Sequence, residues 1–183
     1  MPFLLSPAGT KDALVAAVQS GANEIYLGLS DFNARASAEN FTVETLQPWV
    51  KYAHVRGVKI HVTMNTLLGD GELSRAVSLA KEADNIGVDA FIVQDVGLAR
   101  KLSGNVRAAL HASTQLSVYD KYGVRMLKEL GFSRAVLARE LPLEEIAEIV
   151  NENIMETEVF CHGALCMSMS GGCLMSAVFG GRS

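Results

Sequence analysis

A chain of 183 residues is long enough to bury a sizeable core as one domain or a large part of one, which excludes a mini-domain held together by staples. With 49% hydrophobic and 20% charged residues, the composition is that of a globular protein rather than a disordered or fibrous one. The formal charge of −4 offers no general attraction to nucleic-acid phosphates, although a local basic patch is compatible with it.

The opening MPFLLSPAGTKD is broken by Ser6 and Pro7 and has no basic start, so it does not read as a secretory signal. No run approaches the roughly 20 apolar residues needed to span a bilayer. A cytoplasmic, membrane-free protein is expected. From here short strand-like runs alternate with helical periods. FLLSPA is the first strand, and Thr10 caps a helix with Leu14, Ala17 and Val18 on its apolar face and Gly21 at its end. EIYLGL leads through a long polar loop to a helix capped by Thr42 and stopped by Gly57. KIHVTMN, a helix around SRAVSLAKEADNIG, AFIVQD, the short helix VGLARKLSG, RAALHAST and the helix DKYGVRMLKELG follow. RAVLAREL, a helix with Pro142 in its first turn, and ETEVFCHG complete the series.

Strand–helix–strand spacings of about 20 to 35 residues mark βαβ units and a parallel sheet. The expected fold is α/β, a (βα)₈ TIM-barrel-like sheet left incomplete at about seven strands, since such barrels usually take about 250 residues. An open Rossmann sheet is disfavoured because no GxGxxG follows the first strand. Residues 1–183 form a single unit with no linker or repeat, and the Gly-rich ending VFGGRS reads as the middle of a loop. The expectation is the N-terminal part of a longer protein, its closing strand missing here or supplied by another chain.

Barrels gather their active sites at the C-terminal ends of the strands. Those ends supply Asn33, Arg35, Glu39 and Asn40, then Asn65, Gln94 and Asp95, then His111, Ser113, Thr114 and Gln115, then Arg139 and Glu140, and finally His162. The catalytic candidates are His111, Gln115, Arg139, Glu140 and His162; the substrate-holding candidates are Arg35 and Asn65. Each has a plainer reading beside it. Asp95 caps the helix that follows it, and Arg139 with Glu140 forms an ion pair bracing the rim. His54 is an exposed helix residue and His61 a sheet-face residue.

All three cysteines, Cys161, Cys166 and Cys173, fall in EVFCHGALCMSMSGGC. Their odd number and the compartment argue against disulfides. A thiol nucleophile served by His162 is one option, and soft-metal binding by thiolates is another, though short of the usual four ligands. Cys161 by itself reads as a small buried hydrophobe on a strand.

This stretch resembles the signature of the U-thirty-two (U32) peptidase family, the collagenase-like proteases. Glu158, Phe160, Gly163, Ala164, Leu165, Cys166, Gly171, Cys173, Met175 and Ser176 fit it, and LSPAG, YLGLSDFNARASAENF, MNT, HASTQ and LAREL look like further landmarks. The resemblance implies either proteolysis of undefined mechanism or oxygen-independent hydroxylation of tRNA, rRNA or a quinone precursor. The second activity uses a [4Fe–4S] cluster, with prephenate as hydroxyl source in some members. It would make Cys166 and Cys173 the first two cluster ligands, the others lying downstream of this sequence, so that the 183-residue chain alone would hold little or no cluster. RNA contacts would then come from regions absent here, and a homo-oligomer or partner chain could complete the fold.

Overall fold

The computed structural model describes residues 2–34, 40–163 and 168–172. Seven strands occur among them: β1 (Leu5–Pro7), β2 (Glu24–Gly28), β3 (Lys59–Met64), β4 (Ala90–Val93), β5 (Ala109–Ala112), β6 (Arg134–Val136) and β7 (Glu156–Glu158). Between them run α1 (Lys11–Gln19), α2 (Val43–His54), α3 (Asp70–Asn85), α4 (Val96–Leu102), α5 (Lys121–Glu129) and α6 (Leu143–Asn151). All six pairings are parallel and sequential, giving the order β1-β2-β3-β4-β5-β6-β7.

The helices start where local chemistry dictates. Thr10 Oγ1 accepts from Ala13 N at 3.1 Å, and Thr42 and Thr45 satisfy each other's backbone N–H groups in a capping box. Asp95 Oδ1 accepts from Leu98 N at 2.7 Å to start α4, and Oδ2 takes Leu68 N at 3.3 Å. Asp95 is thus the cap that its position suggested. Gly21, Gly57, Gly87 and Gly131 adopt positive φ within three residues of the ends of α1, α2, α3 and α5, a backbone region that other residues enter only at a cost.

Alternation divides each strand between two environments. Ile25 and Leu27, Ile60, Val62 and Met64, Phe91 and Val93 point outward and are buried under the helices. Leu14, Leu46, Leu98 and Leu102, each fully buried, meet them from the helix side. Each such side chain contributes about 1.5–3 kcal/mol of apolar burial. The opposite set, Glu24 and Tyr26, His61 and Thr63, Ile92, His111 and Arg134, points inward. Arg134 Nη1 lies 2.5 Å from Glu24 Oε2, although β6 and β2 are four strand spacings apart, about 19 Å on a flat sheet. The sheet must therefore curl, and the expected TIM-barrel-like architecture is what forms, with β1 and β7 as the two edges among the described residues.

Several elements differ in extent from the sequence reading. β5 stops at Ala112, because Ser113 Oγ accepts from Gln115 N and turns Thr114–Leu116 into one 3-10 turn ending at left-handed Ser117. α3 begins at Asp70, four residues before SRAVSLAKEADNIG, with Glu72 Oε2 accepting from Gly69 N at 2.9 Å. Pro142 is the N-cap of α6 rather than part of its first turn. β7 ends at Glu158, which leaves Cys161 exposed beyond the strand instead of buried on it. No helix among the described residues is long and apolar enough to cross a membrane.

Candidate functional site

The interior is built in layers along the strands. At the N-terminal ends, Arg134 forms a fork on Glu24, with Nη1 at 2.5 Å and Nη2 at 3.0 Å, and also reaches Glu156 and Glu158 at 3.0 and 3.2 Å. Glu24 is 2% exposed, so burial opposes its ionisation; the hydrogen bonds and charge of Arg134 outweigh that and hold its carboxyl below the usual range. Glu158 moves the other way, raised by burial that Arg134 only partly offsets. This end of a barrel serves stability.

One layer up, His61 and His111 pack edge to face with ring centroids 4.8 Å apart. They are 1% and 4% exposed, and neither Nδ1 has a hydrogen-bond partner among the described residues. Burial drives the His61 pKa down to about 4 and that of His111 to about 2, with His61 adding to the depression of His111. Both are neutral rings at pH 7. His111 therefore does not finish its strand at the rim; it points inward from within β5, below the mouth. His61 is the buried sheet-face residue that was expected, and His54 is an exposed helix residue bonded to Asp89 at 2.8 Å.

At the mouth, the loop after β6 and the turn after β5 grip the segment 168–172. Ser170 N donates to Glu140 Oε1 at 2.6 Å, and Ser117 Oγ donates to Ser170 O at 2.6 Å. Arg139 N and Nε lie 3.2 and 3.4 Å from Ser170 Oγ, and Nη2 is 3.4 Å from Ser168 O. Tyr119 OH donates to Glu140 Oε2 at 3.1 Å. Burial resists ionisation of Glu140, but its own backbone N–H and that of Ser170 more than offset this and keep the carboxyl below its usual range. Gly171 sits at φ 77°, and a Cβ there would collide with Ser117 Oγ and the Gln115 carbonyl. The rim ion pair read from the sequence is corrected: no Arg139–Glu140 bridge occurs among the described residues, and both side chains turn to the segment between Cys166 and Cys173.

Around this grip, Asn65 Oδ1 accepts from Ala34 N at 3.1 Å and so anchors the loop after β2. Gln94 and Gln115 each bury a side-chain oxygen that has no partner among the described residues. His162 is exposed, four residues past β7. Arg35, Cys166 and Cys173 lie outside the described residues. The structure thus gathers Gln115, Arg139 and Glu140 at one rim, drops His111 beneath it and leaves His162 on the outside. Sequence reading missed Ser117, Tyr119 and Ser170; Ser170 was visible only as a filler position in the cysteine stretch. It also missed Glu24 and Arg134, whose one signal is a charge at the first position of an otherwise apolar strand.

A family model described as Peptidase family U32 matches residues 9–183. The chain belongs to peptidase family U32. Among U32-related proteins, the 23S rRNA 5-hydroxycytidine C2501 synthase of Escherichia coli is 41% identical over 98% of this chain and 27% of its own length. The tRNA hydroxylation protein P of the same organism is 36% identical over 99% of this chain and 40% of its own. The collagenase of Porphyromonas gingivalis is 33% identical over 94% of this chain and 44% of its own. The chain therefore spans between about a quarter and just under half of these relatives. The solved U32 peptidase Mk0906 superposes with a TM-score of 0.73 at 19% identity, covering 87% of this chain and 68% of that one. That likeness is one of fold.

Proposed function

We propose that this chain is the barrel portion of an oxygen-independent RNA hydroxylase of the U32 family, acting in the cytoplasm on tRNA or rRNA. The observation that carries the reading is the grip of Ser117, Arg139 and Glu140 on residues 168–172, the link between Cys166 and Cys173. A barrel mouth organised around the spacer of two thiols suits a soft metal group better than a polar nucleophile. The relatives named for rRNA and tRNA hydroxylation supply the reaction class.

The donor set fits half of a [4Fe–4S] site. Cys166 and Cys173 would be two ligands, the resemblance placing the others downstream of this sequence. When bound, such a cluster would supply the redox and Lewis-acid chemistry that hydroxylation without oxygen requires. The chain's own side chains bind and orient. Gln94 and Gln115 offer buried amides at the rim, Asn65 anchors the loop after β2, and Arg35 or Arg139 would hold a carboxylate of a hydroxyl donor such as prephenate. His111 stays a neutral ring beneath them. With a net charge of −4, the chain leaves most RNA contacts to the rest of the longer protein or to a partner chain.

The test is iron and acid-labile sulfide, with the visible spectrum, on anaerobically purified 183-residue chain and on the longest form the gene encodes. Cluster in the long form and little in the short one is expected; no iron in either would overturn the reading. The collagenase relative keeps a second reading alive, with Cys166 as a nucleophile. Proteolysis that survives Cys166→Ser would end it.

A further inference from the structure

Above the Arg134 fork, the interior lacks the filling of an ordinary barrel, where layers of branched aliphatic side chains pack together. The register sets Gly28 beside Thr63 and Ile92 beside His111 on the inward face, which continues past the strand ends to Gln94 and Ser113. Ser113 N donates to Val93 O at 2.9 Å, so Gln94 and Ser113 emerge side by side. Of that set only Ile92 is aliphatic. Asn33, 6% exposed, enters from the loop after β2 and takes the room that a side chain at Gly28 would need, since a Cβ there would lie 2.7 Å from its Cγ.

Four buried atoms within or over this interior have no partner among the described residues: His61 Nδ1, His111 Nδ1, Gln94 Oε1 and Gln115 Oε1. His61, His111 and Gln94 are each more than nine-tenths buried. Folded proteins seldom strand buried polar atoms, because each gives up water without gaining a bond. Four in one place mark where something else donates. The glutamine oxygens can only accept. His61 turns Nε2 toward Glu24 Oε1, 3.9 Å away, which favours the proton on that side and leaves Nδ1 an acceptor as well. Ligand charge of either sign is unsuited: burial and the charge of Arg134 already keep both rings from holding a second proton, and the acceptor lone pairs repel an anion. An uncharged hydroxyl fits, since it donates to the acceptors and receives from His111 Nδ1 when that nitrogen carries the ring proton. We propose that the barrel interior is a binding site for a small uncharged molecule bearing two or more hydroxyls, with His61 and His111 as its floor and Gln94 and Gln115 as its walls. A free diol and the sugar of a nucleoside share this chemistry. The site uses no cysteine and no metal, and does not rest on the hydroxylase reading.

The experiment follows the histidine ring nitrogens of the ¹⁵N-labelled 183-residue chain by NMR at neutral pH while a probe is added. The probes are catechol for a free diol, cytidine for a nucleoside, and veratrole, the dimethyl ether of catechol, which keeps the ring but has no O–H to donate. A saturable shift of His61 Nδ1 and His111 Nδ1 is expected with catechol or cytidine and none with veratrole; exposed His54 and His162 serve as references. Which of the two hydroxyl probes acts tells the free diol from the nucleoside, and either supports the site. Gln94→Met and Gln115→Met replace an acceptor by an apolar side chain of similar length. Each is expected to weaken probe binding about tenfold, the size of one hydrogen bond, and to leave the urea midpoint unchanged or higher, because a stranded acceptor contributes nothing to the fold. Ring nitrogens that respond to neither hydroxyl probe, or equally to veratrole, would overturn the proposal. So would methionine variants that bind the probe as wild type does and unfold at lower urea, the mark of a purely structural role.

Discussion

The two interior histidines make stability fall steeply on mild acidification. In the fold His61 titrates at about 4 and His111 at about 2, against 6.5 for an unstructured histidine. Both folded values are depressed, so between pH 6.5 and 4 the unfolded chain binds protons that the folded chain refuses, and stability drops as pH falls through that window. At pH 5 each ring withholds nearly one proton over about 1.5 pH units, a loss of about 2 kcal/mol per histidine and about 4 kcal/mol for the pair. That is a large part of the roughly 5–15 kcal/mol that a domain has. Glu24, held below its usual range, adds to the loss only below about pH 4.5. Urea unfolding at pH 7.5, 6.5, 5.5 and 5.0 measures the slope. His61→Gln or His111→Gln is expected to reduce it by close to one proton whatever the variant does to stability at pH 7.5. A wild-type curve that is flat from pH 7 to 5, or a slope untouched by both substitutions, would refute the assignment of neutral buried rings.

Three further outcomes follow from the same contacts. Arg134→Met strands Glu24 and Glu158 without a counter-charge and is expected to cost about 3–5 kcal/mol in urea unfolding, whereas Glu24→Leu combined with Arg134→Met should recover most of that loss. Asp95→Ala removes the cap of α4 and the acceptor for Leu68 N, and a loss of about 1–2 kcal/mol is expected by the same assay. Gly171→Ala cannot keep both its φ of 77° and its approach to Gln115, so amide exchange across 168–172 is expected to approach that of an open segment while the urea midpoint of the barrel stays in place.

What could be read from the sequence was what is local to it. Thr10, Thr42 and Asp95 cap their helices through contacts three residues away, and the apolar runs alternate at the spacing of a parallel sheet. His111 was read as finishing its strand, but it pairs within β5 and alternation turns its ring into the buried interior. Arg139 and Glu140 looked like partners because they adjoin in sequence; their real partner is Ser170, some 30 residues on. The Glu24–Arg134 fork joins residues 110 apart, and only the closure of the sheet brings them together. Cys161 was placed on a strand that pairing ends three residues earlier, at Glu158.

That fork also bears on how the molecule is made. Glu24 emerges from the ribosome among the first strands, yet its counter-charge arrives only when residue 134 has been synthesised. At about 5–20 residues per second, the interval is on the order of 10 s, during which β1 to β4 can pair but the carboxylate cannot be enclosed at low cost. The nascent half-sheet is therefore held open and hydrated on its concave side. Curling is coupled to the arrival of β6, so the barrel closes late and over a long sequence separation, in a topology that folds slowly.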